Sequence, residues 1–178
     1  MDNRSLYPLN SGCMLIVASI LLGAFYFEYA LHENPCPLCL LQRMGMLGVI
    51  LGLSLNTYFG FSKKHFALVI MVAVCAGGCS ARQILLHVCP TPGEPTGYGT
   101  PFMGMHLYSW GLLIFTASIL GSALFLLCIK DEDSPAERSP SWFEKSVFYL
   151  SAAICLGNVL GAFFECGLGP CCENGPCP

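Results

Sequence analysis

Apolar residues run through this chain in long unbroken blocks, and the polar positions collect in the gaps between them. A helix that crosses the hydrocarbon core of a bilayer needs about 20 predominantly apolar residues. Five blocks meet that length, at approximately 12–31, 40–60, 66–88, 107–129 and 143–165. Between them lie His32-Glu33-Asn34-Pro35-Cys36, the short basic turn Phe61-Ser62-Lys63-Lys64-His65, a Pro- and Gly-rich loop from Pro90 to Pro101, and the charged run from Lys130 to Arg138. The first block is too long in its apolar part for a removed signal peptide and lacks a small-residue cleavage site, so it reads as a span. The pattern predicts an all-α integral membrane bundle.

Composition agrees, with 54% hydrophobic and only 11% charged residues in 178, far from the balance of a soluble domain. The net charge is −3 and no basic run exceeds Lys63-Lys64, which excludes nucleic-acid binding through a phosphate-neutralising surface. The few basic residues set the orientation. With the N-terminus in the cytoplasm, Arg4, Lys63, Lys64, Lys130, Arg138 and Lys145 all fall on or beside cytoplasmic segments, while the opposite segments hold no Lys or Arg. Arg43 and Arg82 lie inside predicted helices. That asymmetry is the positive-inside signal, and five spans then carry the C-terminus to the far side. Cys36, Cys39, Cys89 and the terminal ECGLGPCCENGPCP share that side in this reading. An oxidising compartment there would let the thiols pair.

The segment Asn34-Pro35-Cys36-Pro37-Leu38-Cys39-Leu40-Leu41-Gln42-Arg43 straddles the start of the second span. Two cysteines separated by two residues can close a small disulfide ring, and a helix N-terminus stabilises a thiolate through its free N–H groups and dipole. Pro37 suits the first helical turn, where its missing N–H costs nothing. Arg43 follows Cys39 by four residues, about one turn deeper on the same face, so its guanidinium is expected to approach that sulfur. A lone CxxC is equally half of a metal site or a stabilising disulfide. Arg43 shifts the reading, because an arginine inside the bilayer costs roughly 2.5–3.5 kcal/mol and normally faces a partner or a functional cavity. A metal site gains nothing from a neighbouring cation.

Cys-Pro-Leu-Cys followed by Gln-Arg at the mouth of a second membrane helix resembles the disulfide bond formation protein B (DsbB) family. The likeness runs roughly from residue 12 to 129 and includes Ser80-Ala81-Arg82-Gln83 in the third span. The resemblance implies a four-helix bundle in the bacterial inner membrane that reoxidises a periplasmic, DsbA-like thioredoxin-fold protein and passes the electrons to a bound quinone, ubiquinone or menaquinone. By position it makes Cys36 and Cys39 the quinone-linked pair, Cys39 the thiolate facing the quinone and Arg43 its support. Gln42 matches without a chemical role. The expected layout is a DsbB-like redox domain over 1–129, a cytoplasmic linker over 130–142, a fifth transmembrane helix over 143–165 and a Cys-rich periplasmic tail over 166–178.

Two features depart from the family. Members usually carry a second cysteine pair in the loop between helices three and four, whereas this loop holds only Cys89. The added fifth span ends in Cys166, Cys171, Cys172 and Cys177, two successive Cys-x-x-Gly-Pro-Cys units. The expectation is that Cys89 pairs with a tail cysteine or that the tail supplies the second pair, all five thus being candidate catalytic thiols. A redox-silent disulfide knot and a soft-metal site are competing readings, the latter weakened by the adjacent Cys171-Cys172 and the absence of Cys-x-x-Cys spacing. For the whole chain the rivals are a quinone reductase resembling vitamin K epoxide reductase, whose CxxC lies in a late helix, and a non-catalytic metal-handling membrane protein.

Arg82 and His87 join Arg43 as candidate quinone-binding residues. Arg82 pairing with Glu28 or Glu165 is the alternative for it, and an interfacial histidine without a role is the alternative for His87 and for His106. Tyr108 and Trp110 read as interfacial anchors, and Asn158 as a helix–helix hydrogen bond. Cys13, Cys75, Cys79, Cys128 and Cys155 read as packing residues.

Overall fold

The computed structural model describes residues 3–33, 35–88, 97, 99–129, 139–167, 171–172 and 175–176, with the backbone alone at 3, 4, 165, 166, 171, 172, 175 and 176. Among the described residues, five helices, each long and apolar enough to cross a membrane, form the architecture. They are α1 (Asn3–Phe25), continued by a π-helical turn over Tyr26–Ala30, then α2 (Pro37–Phe59), α3 (Lys63–His87), α4 (Leu107–Cys128) and α5 (Trp142–Cys166). The spans expected from hydropathy agree within a few residues, except that α1 begins well before residue 12. Asn10 and Ser11 interrupt the apolar block, yet both are fully buried, and Asn10 finds hydrogen-bond partners on α2. A hydropathy sum penalises a polar residue whose partner lies elsewhere in the chain.

Local chemistry fixes the helix starts. Pro37 sits in the first turn of α2 with Cys36 as its N-cap. Ser62 caps α3 by accepting from the Lys64 N–H. Ser141 and Glu144 form a reciprocal capping box on α5, the arrangement that satisfies two of the orphan donors at a helix start.

The helix α2 is central, packing on α1 and α3, while α3 packs on α4. Gly45 and Gly52 let α2 and α3 approach closely: a Cβ at Gly45 would collide with that of Ala76, and one at Gly52 with Val69. Small residues at such contacts are how membrane helices gain dispersion energy without a hydrophobic drive. By contrast α1 and α4 do not pack along their length, which leaves a cleft between them. On the other side of α1 lies α5, where a Cβ at Gly157 would stand 3.5 Å from the Phe25 ring and one at Gly161 3.3 Å from Tyr29 Oη. Beyond α5, Cys171–Cys172 pair antiparallel with Gly175–Pro176 in a two-residue ladder.

At the α2–α3 turn the core is aromatic, with Phe61 stacked on Phe66 and Phe125 and tilted against Tyr7 at centroid distances of 4.2–6.1 Å. Beside it, Asn10 Nδ2 donates to Leu53 O at 3.0 Å and Thr57 Oγ1 at 3.3 Å, Asn56 Nδ2 donates to Asn10 Oδ1 at 3.4 Å, and His65 Nδ1 lies 3.0 Å from Asn56 Oδ1. Three helices are thereby tied together at one end.

Two expectations fail here. Asn158 Nδ2 donates to Ile154 O of its own helix at 3.0 Å rather than across to a neighbour, and its buried Oδ1 has no partner among the described residues. Cys75 and Cys128 are exposed on the bundle surface, so they do not fill the core, whereas Cys13 and Cys155 do pack against it.

Candidate redox site

Cys36 and Cys39 form a disulfide with a Cα–Cα distance of 5.0 Å. As N-cap of α2, Cys36 accepts a hydrogen bond through Sγ from the Cys39 N–H at 3.1 Å. The unpaired N–H groups at a helix start favour negative charge, so the ring lies where a released thiolate is electrostatically supported. Cys36 is buried and Cys39 half-buried.

A second donor comes from α3. The side chain of Gln83, 1% exposed, places Nε2 at 3.2 Å from Cys36 Sγ and 3.6 Å from Cys39 Sγ. Its Oε1 accepts from Gln42 Nε2 at 2.6 Å, which gives Gln42 the structural role that its sequence position left blank. Gly111 of α4 makes room for this pair, since a Cβ there would stand 2.7 Å from Gln42 Oε1 and 3.0 Å from Ser80 Oγ.

One turn below, the expected approach of Arg43 to the Cys39 sulfur gives way to a different contact. The guanidinium pairs with the Glu28 carboxylate through Nη1 and donates to Ala24 O from Nη2 at 3.3 Å. Glu28 sits in the π-helical turn; such turns recur at functional positions because the extra residue redirects side chains. That turn brings Glu28 inward, its side chain 5% exposed against 15% for Arg43. The alternative pairing of Arg82 with Glu28 is thereby overturned. Glu28 Oε1 and Ser80 Oγ are buried and find no hydrogen-bond partner among the described residues.

Glu28, Cys39, Gln42 and Arg43 form a polar wall of a cavity of about 1040 Å³ in the cleft between α1 and α4, lined otherwise mostly by apolar residues of both helices. Cys39 lines the cavity and Cys36 does not. The segment before α4 also lines it through Gly99, Phe102 and Met103, and there Phe102 and Met105 bridge through Met103 and Gly104. Both central residues have positive φ, as in the type I′ turn that suits tight antiparallel pairs. Glu33 holds this segment by accepting from the N–H and hydroxyl of Thr100, and Trp110 Nε1 donates to Phe102 O at 3.0 Å. Trp110 thus lines the cavity instead of only anchoring an interface.

Tyr108 is likewise no exposed anchor. It is buried between the rings of His87 and His106, each at a centroid distance of 5.3 Å. His87 Nδ1 lies 2.8 Å from Gln83 O, so His87 supports the turn that carries Gln83 without lining the cavity. Arg82 is exposed on α3 and also does not line it. Cys89 and Cys177 lie outside the described residues, as do the side chains of Cys166, Cys171, Cys172 and Glu165.

Gln83 and Glu28 are the residues that sequence reasoning left without a role in the site. Their signal was available in kind, since each is a hydrogen-bonding side chain in or beside a span that must find a partner. A quinone-sized, flat apolar molecule with polar oxygens fits the chemistry of the cavity: apolar walls accept its rings, while the Arg43 guanidinium offers donors to an oxygen on the wall that carries Cys39.

A family model described as disulfide bond formation protein DsbB matches residues 8–125. The chain is 34% identical over 123 residues to disulfide bond formation protein B of Marinobacter nauticus, covering 66% of this chain and 70% of that relative. It is 30% identical over 146 residues to the protein of the same name from Pseudomonas syringae pv. tomato, covering 65% of this chain and 84% of that one. No solved structure matches the chain.

Proposed function

The chain belongs to the DsbB family of disulfide bond formation proteins, as a multi-pass membrane oxidoreductase, and from that premise we propose that it reoxidises a DsbA-like thioredoxin-fold protein and delivers the electrons to a quinone. The observation that carries this reading is the Cys36–Cys39 disulfide at the wall of an apolar cavity beside Arg43. A bound quinone supplies a two-electron, two-proton acceptor whose pool is oxidising relative to protein dithiols. Cys39, the cysteine in the cavity lining, is the residue from which electrons leave. Arg43, held by Glu28 and Ala24, keeps a positive charge in the wall where negative charge develops on an acceptor oxygen. The cleft between α1 and α4 admits a lipid-soluble molecule sideways, and the apolar lining excludes water from the thiolate.

Each turnover converts two protein thiols into one disulfide, so two electrons and two protons pass from the partner's dithiol. A second cysteine pair mediates the transfer to Cys36–Cys39, drawn from Cys89, Cys166, Cys171, Cys172 and Cys177; the Gly/Pro-rich sequence around the tail cysteines and its place after a fifth span support a tail contribution. The basic-residue asymmetry supports a bacterial inner-membrane location with the N-terminus cytoplasmic and both the Cys36 end and the tail periplasmic. Residues 1–129 then act as the redox domain, with 130–142 as linker, 143–165 as the fifth span and 166–178 as the tail.

Purified protein given a reduced thioredoxin-fold dithiol and a short-chain ubiquinone is expected to form quinol, and Cys39→Ser to fall to background. A wild-type protein that oxidises the dithiol no faster with quinone than without it would sink the reading. Disulfide mapping by mass spectrometry assigns the second pair, and Cys89 found as a free thiol in every oxidised species would remove it from the relay.

A further inference from the structure

Among hydrogen-bond donors, those that touch the reacting sulfurs are the ones able to change their chemistry directly. Arg43 is committed to Glu28 and Ala24, whereas Gln83 Nε2 contacts both Cys36 Sγ and Cys39 Sγ, at 3.2 and 3.6 Å. The amide is held in that orientation because its oxygen is taken by Gln42 Nε2, leaving the NH2 end toward the sulfurs. A disulfide sulfur is a weak acceptor and a thiolate a strong one. The contact therefore strengthens as the S–S bond opens, which is the condition for an interaction that favours the transition state over the resting state.

We propose that Gln83 is a catalytic residue of disulfide exchange that stabilises the thiolate released from Cys36–Cys39, and that Gln42 is the positioning residue that aims it. In the step, an incoming protein thiolate forms a new S–S bond to one sulfur of the pair. The Cys36–Cys39 bond breaks and its electron pair stays on the other sulfur, which accepts the hydrogen bond from Gln83 Nε2–H. Charge is conserved, with one thiolate consumed and one produced, and no external oxidant takes part. Gln83 lies between the two sulfurs, so the same amide serves whichever of them leaves. The proposal rests on the reading of Cys36–Cys39 as the exchanging pair.

The test is the redox equilibrium of Cys36–Cys39 with glutathione in purified full-length protein, read by alkylation and mass spectrometry of the Cys36–Cys39 peptide, with no quinone present. Gln83→Leu is expected to shift the equilibrium constant about tenfold toward the disulfide, as for loss of a hydrogen bond to a charged group, equivalent to about 30 mV for a two-electron couple. Gln42→Leu is expected to shift it the same way by a smaller factor, which keeps the proposal testable if Gln83→Leu fails to fold. Asn10→Ala, at the far end of the bundle, is expected to lower stability and leave the equilibrium unchanged, separating a donor effect from general loosening. Folded Gln83→Leu or Gln42→Leu with the wild-type equilibrium constant would overturn the proposal while leaving the proposed function standing. A wild-type pair that never exchanges with glutathione or a dithiol protein would overturn both.

Discussion

At the end of the bundle where α2 turns into α3, Asn10, Asn56, Thr57 and His65 exchange hydrogen bonds beside four packed aromatic rings. At the opposite end of α2, Glu28, Gln42, Arg43 and Gln83 also pair. Although each end leaves a buried serine hydroxyl, Ser11 or Ser80, without a partner among the described residues, only here is a carboxylate oxygen, Glu28 Oε1, left open on a residue that lines a cavity. Both ends bury polar groups in a bilayer-spanning bundle, where an unsatisfied group is expensive. In the first, the two asparagine amides are engaged at nitrogen and oxygen and the network locks three helices. In the second, donors point at sulfurs and a carboxylate oxygen at a cavity, so the capacity left open belongs to chemistry. The contrast predicts that substitutions at one end read out as stability and at the other as redox behaviour.

The largest stability effect is expected from Phe61→Ala, since Phe61 is fully buried among Tyr7, Phe66 and Phe125. It should cost about 4 kcal/mol in unfolding by dodecyl sulfate from mixed micelles, with the Cys36–Cys39 equilibrium retained. Arg43→Met strands the Glu28 carboxylate and should cost about 3 kcal/mol. Adding Glu28→Gln to that variant should recover most of the stability without restoring quinone-linked thiol oxidation. Recovery of both would erase the distinction between the two ends. Gly111→Ala pushes a methyl against Gln42 Oε1 and Ser80 Oγ, at about 2 kcal/mol for overpacking, and should move the glutathione equilibrium in the direction of Gln83→Leu. The smallest effect is expected for Asn10→Ala, about 1 kcal/mol for interhelical hydrogen bonds in a membrane bundle, measured by the same unfolding assay.

The fifth helix shows how far sequence reading reached. Its apolar length was read from the sequence and is borne out in α5, whereas the Ser141–Glu144 capping box, equally local, went unread. What α5 touches was not legible: Gly157 and Gly161 face Phe25, the N-cap of the π-helical turn that carries Glu28, and Tyr29, within that turn. The helix α5, outside the stretch matched by the family model, therefore packs beside the element that holds Arg43. The CxxC and its helix start were read from spacing alone, as was the placing of Pro37 in the first turn. The partner of Arg43 was missed because a π-helical turn rotates Glu28 relative to the regular 3.6-residue period on which face arguments rest.

Hydropathy and motif spacing together determined that the chain crosses a membrane repeatedly, where each span lies, and that Cys36 and Cys39 open a helix, because these properties are sums or ratios over neighbouring residues. Only the tertiary structure decided which donors meet the sulfurs, which cation faces which carboxylate, and that α1 and α4 stand apart to leave a cavity. Gln83 is separated from Cys36 by 47 positions, and its contact depends on the rotation and closeness of two helices. Those follow from the close packing of α2 on α3 at Gly45, Gly48 and Gly52, which no local window contains.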